Sequence, residues 1–188
     1  NVGVVNVKDV RLDRLTEMYE PKKTIPTSYE FTDIAGLVRG ASKGEGLGNK
    51  FLSHIRETDA IVEVVRCFDN GKIIHVDGNV DPIRDLETIN LELIISDLEM
   101  VTNRLGKISK RALMSKDKQE KLEYELLEKI KTTLEENQPV RHIDFKDDEL
   151  KILKSYNFLT IKPIIYVANI DESMIGLEDN SYVKEVKE

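Results

Sequence analysis

Two short tetrads, far apart in the chain, carry residue types suited to a phosphorylated ligand. Asp33-Ile34-Ala35-Gly36 closes one extended run and Asn169-Ile170-Asp171-Glu172 closes another. An aspartate at the end of a strand can hold the water shell of Mg²⁺, and a glycine three residues on lets its backbone N–H approach a γ-phosphate that a side chain would block. An isolated DxxG also reads as a tight turn, because both residues are common in turns. The second tetrad likewise reads as a helix cap after a buried strand. In a doubly wound sheet, ligands bind beyond the carboxyl ends of the strands, where both tetrads fall.

Other patterns are set aside on their chemistry. Gly44-Glu45-Gly46-Leu47-Gly48-Asn49-Lys50 suggests a GxxxxGK[ST] phosphate loop, but Asn49 separates the glycine from the lysine and Phe51 replaces the magnesium-binding hydroxyl. The glycine spacing does not fit GxGxxG with an acidic ribose partner either. Cys67, the single cysteine, lies in an apolar run with no base beside it and is expected to be structural.

The elements that position the tetrads alternate. Val2 to Val7 is β-branched and extended, Arg11 to Tyr19 carries Leu12, Leu15 and Met18 at helical spacing, and Thr27 to Thr32 resumes a strand. A glycine-rich loop leads into an Asn49 to Glu57 helix with Phe51, Leu52 and Ile55 on one face. Ala60 to Phe68 and Leu159 to Ala168 are apolar without alternation, as expected of strands buried on both faces of a parallel sheet. The fold class is α/β with a mostly parallel sheet.

The pattern changes at Asp81-Pro82, a capping residue followed by proline at the first helical position. Leu91, Ile94, Leu98, Val101 and Leu105 step by three and four, and a second helix over about 117 to 137 places Leu122, Leu126, Leu127, Ile130 and Leu134 on one face before Pro139. Two such helices joined by a short polar turn predict an antiparallel coiled-coil hairpin, followed by a short closing helix at 147 to 156. The expected domains are therefore 1–80 with 157–188, interrupted by an inserted helical domain at 81–156.

The composition bounds the function. The 188 residues include 28 basic and 35 acidic ones, a formal charge of −7, which argues against general polyanion binding by the whole surface. Arg104 to Lys121 departs from this: Arg104, Lys107, Lys110, Arg111, Lys116, Lys118 and Lys121 against Asp117 and Glu120 give a local +5, so the remainder carries −12. One cysteine, no charged-then-apolar leader and no long apolar run point to the cytoplasm. Opening on Asn1 and almost at once on a strand, the chain reads as a piece of something longer.

The run Phe31-Thr32-Asp33-Ile34-Ala35-Gly36-Leu37 through Lys50-Phe51-Leu52, with Val64-Val65-Arg66-Cys67-Phe68 after it, closely resembles the Obg-like ATPases, the YchF subfamily of translation-factor-class P-loop NTPases. The resemblance extends over essentially the whole chain. It implies an incomplete nucleotide-binding G domain with a helical insertion, the phosphate loop lying upstream and a TGS domain downstream. It further implies hydrolysis of ATP in preference to GTP, use of Mg²⁺, and ribosome association. On it, Asp33 holds Mg²⁺, Gly36 meets the γ-phosphate, and residues 37 to 48 form the second switch. Leu37 occupies the place of a water-orienting glutamine and has no polar group, so His75 is the candidate for that task, with a structural histidine as the alternative.

Asn169 and Glu172 then occupy the base-reading motif usually written NKxD. A longer carboxylate at 172 crowds or misses guanine, while Asn169 can bond a purine ring nitrogen and the backbone near Ile170 can meet the adenine amino group. Without the upstream loop, the chain by itself is expected to bind nucleotide feebly. The basic hairpin at Arg104, Lys107, Lys110 and Arg111 suits ribosomal RNA phosphates, or is a solvated helix tip. The other functional class that fits is a noncatalytic helical adaptor binding ribosome or RNA.

Overall fold

The computed structural model describes residues 1–34, 47–71, 73, 75, 78–115 and 117–188. Two compact units divide the chain, Asn1–Gly36 and Leu37–Glu188.

In the first unit, β1 (Val2–Asn6) pairs antiparallel with β2 (Ser28–Thr32), from Val2 opposite Thr32 to Asn6 opposite Ser28. Asp33 N–H donates to the Asn1 carbonyl at 2.8 Å and extends the ladder. Between the strands, α1 (Val10–Tyr19) starts at Asp9, whose carboxylate accepts from the Arg11 N–H, and stops at Glu20, left-handed at φ 42° just before Pro21. Proline cannot continue a helix, so the stop is local chemistry. None of the described residues of this unit is buried.

The second unit contains α2 (Leu47–Arg56), β3 (Ile61–Arg66), α3 (Pro82–Met114), α4 (Lys118–Glu135), α5 (Asp147–Leu153), β4 (Ile164–Asn169) and α6 (Ser181–Lys187). Strands β3 and β4 are parallel, in register from Ile61 opposite Ile164 to Arg66 opposite Asn169. Among the described residues the strands form two two-stranded sheets, the antiparallel pair of the first unit and this parallel pair, which represents the expected parallel sheet.

The expectation of strands buried on both faces is corrected. Glu63 and Val65 are buried, whereas Val62, Val64, Ile165 and Val167 of the opposite face stand 41 to 64% exposed. The reason is one-sided cover: Val65 and Cys67 form a core with Leu86 of α3 and Val183 of α6.

Helix α3 begins at Asp81, whose side chain accepts from the Arg84 N–H, with Pro82 in the first turn. Its Ile94, Val101 and Leu105 pack with Leu126, Leu127, Ile130 and Leu134 of α4 and with Val140, Leu153 and Phe158. Each such fully buried side chain is worth about 1.5–3 kcal/mol. Across the two helices Arg111 pairs with Glu120 and, farther from the turn, Arg104 with Glu123.

Strand β4 begins at Ile164 rather than at Leu159, because the Leu159 and Thr160 N–H groups are taken by the buried Asp97 carboxylate at 3.0 and 2.8 Å. The Thr160 hydroxyl adds a third bond at 2.8 Å, and Arg56 closes on the other oxygen at 3.3 Å. Burial pushes the Asp97 carboxyl up while these donors pull it down.

Candidate functional site

Both tetrads sit where strands end. Asp33 directly follows β2 in the first unit and is exposed, and Asn169 is the last residue of β4 in the second. Gly36 and residues 37 to 46 of the expected second switch lie outside the described residues.

The geometry of the second tetrad follows from its residue types. The Asn169 carbonyl accepts from the Cys67 N–H at 2.8 Å, which locks the ends of the parallel pair together and leaves an exposed side chain. Ile170 packs against the Val65, Cys67, Leu86 and Val183 core, so an apolar residue is needed there. Asp171 caps the 3₁₀ turn Glu172–Met174 by accepting from the Ser173 N–H at 3.0 Å and the Ser173 hydroxyl at 2.6 Å, bonds that hold its carboxyl below the usual range. Glu172 opens that turn and is exposed. Asn169 and Glu172 are thus exposed on the rim that follows β4, with the side chains of Ile170 and Asp171 engaged within the protein.

Asn180, which sequence reasoning missed, reinforces the rim. It caps α6 through the Val183 N–H at 2.8 Å and donates to the Cys67 carbonyl at 2.7 Å. Cys67 is fully buried and its thiol is pushed up by desolvation, in keeping with a structural residue.

His75 follows β3 on a loop clamped by Arg66, whose guanidinium donates to the carbonyls of Phe68, Asn70 and Ile73 and stacks 4.8 Å over the Phe68 ring. The imidazole Nε2 lies 2.9 Å from Asp85 Oδ2, in the first turn of α3. Arg66 and Asp85 carry no motif signal, since their partners lie along loops without periodicity.

Among the basic hairpin residues, Arg104 is bound to Glu123 and Tyr156, and Arg111 to Glu120. Lys107 and Lys110 of α3 are exposed, as are Lys118 and Lys121 of α4, while Lys116 lies outside the described residues. No group of three or more histidine, cysteine or acidic residues suited to a metal occurs among the described residues, and no described helix is long and apolar enough to cross a membrane.

Comparison with known proteins shows the family. A family model described as 50S ribosome-binding GTPase matches residues 4–104, more than half of the chain. Proteins named ribosome-binding ATPase YchF are similar to it. The one from Bacillus subtilis is 55% identical over 176 residues, covering 94% of this chain and 48% of the relative. That from Haemophilus influenzae is 50% identical over 188 residues, covering 100% of this chain and 51% of the relative. A solved structure described as the Schizosaccharomyces pombe YchF GTPase superposes with a TM-score of 0.81 at 43% identity, over 99% of this chain and 50% of that one. The chain thus spans about half the length of the curated relatives it matches. The similarity expected from residues 31 to 52 holds over the whole length, and the chain belongs to the 50S ribosome-binding GTPase family, in its YchF, Obg-like group.

Proposed function

We propose that this chain is part of a cytoplasmic, ribosome-associated switch that binds and hydrolyses ATP in preference to GTP. The observation that carries the nucleotide preference is the rim after β4. There Asp171 is spent on its own turn, Ile170 is spent on the core, and the only remaining carboxylate is the longer Glu172. Asn169 then reads the purine and the Ile170 backbone meets the amino group of adenine, while a guanine-specific carboxylate geometry is lost. The names of the relatives support ribosome binding and ATP hydrolysis.

Asp33 fits Mg²⁺ chemically: an exposed carboxylate just after a strand would offer one hard oxygen ligand, or hold the ion's water shell, with phosphate and water completing the coordination. When bound, that ion neutralises charge on the β- and γ-phosphates. Gly36 lends its backbone N–H to the γ-phosphate, and His75 positions the attacking water in place of the apolar Leu37. Residues 81–156 act as an inserted antiparallel hairpin whose exposed Lys107 and Lys110 approach ribosomal RNA, Arg104 and Arg111 being engaged within the hairpin.

The well-packed helical core favours one competing reading, a noncatalytic adaptor on a degenerate pocket. Turnover of MgATP by the full-length protein and its His75→Ala variant separates the two. A loss of about 100-fold, about 2.7 kcal/mol of barrier, fits the switch. Absence of turnover by the unmodified protein, alone and with ribosomes, leaves the adaptor. Calorimetry on the 188-residue chain alone is expected to give no micromolar ATP binding.

A further inference from the structure

We infer that Asp85 is a positioning residue for His75, fixing which imidazole nitrogen carries the proton. This rests on the reading of His75 as the residue that positions the attacking water. Asp85 lies in the first turn of α3, where the helix dipole favours a carboxylate. Its two oxygens have separate tasks. Oδ1 accepts from Arg84 Nε and a terminal guanidinium nitrogen at 3.3 and 3.1 Å, and Oδ2 faces His75 Nε2 at 2.9 Å.

Arg84 is held in turn by the Asn79 side chain and carbonyl at 3.0 and 2.9 Å, and the helix start is pinned by Asp81. The carboxylate is therefore oriented before the imidazole meets it. A carboxylate only accepts, so Nε2 donates, and in the neutral ring the lone pair resides on Nδ1. The tautomer and the ring orientation that His75 brings to the water are then set through Nε2. On its Nε2 side the imidazole faces Asp85, itself held by Arg84, and Arg66 holds the loop that carries it.

The test uses the full-length protein with MgATP. In ¹⁵N-histidine spectra, His75 is expected as the Nε2–H tautomer, and Asp85→Asn, whose amide can also donate, is expected to shift it toward Nδ1–H. Asp85→Asn and Asp85→Ala are expected to lower kcat about tenfold or more while KM for ATP stays within about twofold. Should the alanine variant not fold, the near-isosteric asparagine variant decides. An Nδ1–H tautomer in the unmodified protein overturns the inference. So does unchanged kcat in Asp85→Asn when His75→Ala is impaired. Full activity of His75→Ala removes the reading of His75 itself, and the inference with it.

Discussion

The α3–α4 layer and the β3–β4 pair belong to one unit but are held by opposite means. In the helices the apolar face is inside, with Val101, Leu127 and Ile130 fully buried. In the strands the covered face buries Glu63, both of whose oxygens have no hydrogen-bond partner among the described residues, while Val62, Val64, Ile165 and Val167 look outward. The helical layer is therefore a closed core, and the strands are a platform with organised polar ends and one exposed apolar face. On the proposed function, stability and chemistry then belong to different residues.

The largest test of that division is Asp97, which joins the two regions by bonding α2 through Arg56 and the approach to β4 through Leu159 and Thr160. Asp97→Ala strands several buried donors and is expected to cost about 3–5 kcal/mol in denaturant unfolding. A loss below about 1 kcal/mol would mean the joint is not mechanical. Next, Leu127→Ala in the helical core should cost about 3 kcal/mol, against less than about 0.5 kcal/mol for Val64→Ala on the exposed strand face. Equal costs would erase the contrast.

Glu63 gives the third test. Burial raises its carboxyl from 4.5 to about 7, partly opposed by Arg141. A raised folded-state value means that stability is intact below about 4.5 and is lost as pH rises through about 7. Glu63→Gln should accordingly stabilise the protein by about 2 kcal/mol at pH 8 and hardly at all near pH 4, as read from melts at the two pH values. The smallest effect concerns the surface. Reversing Lys107 and Lys110 in the full-length protein should weaken ribosome cosedimentation several-fold and make its salt dependence shallower, whereas Arg104→Gln should act mainly on stability.

What could be read from residues alone was local. Asp81-Pro82 announced α3, and Leu126, Leu127, Ile130 and Leu134 announced the buried face of α4. The α3 seam was legible only in part: Leu91 steps in register yet is 44% exposed, while Leu93 is fully buried, because the base of the helix meets different neighbours from its middle. Asp97 carries no signal in the sequence, since its partners Arg56 and Thr160 lie far along the chain. Strand ends and motif spacing singled out Asp33, Asn169 and Glu172 as candidates, and the structure puts Asp33 just after β2 and Asn169 at the end of β4. The contact of His75 with Asp85 was hidden because it joins a loop to a helix terminus with no period in common.

The most direct test of the nucleotide reading is calorimetric titration of the full-length protein with MgATP and MgGTP, repeated on Asn169→Ala. The account predicts that ATP binds at least about tenfold more tightly than GTP, about 1.4 kcal/mol, and that the substitution weakens both. GTP binding as tight as ATP, or an Asn169→Ala protein with unaltered affinity, would contradict it.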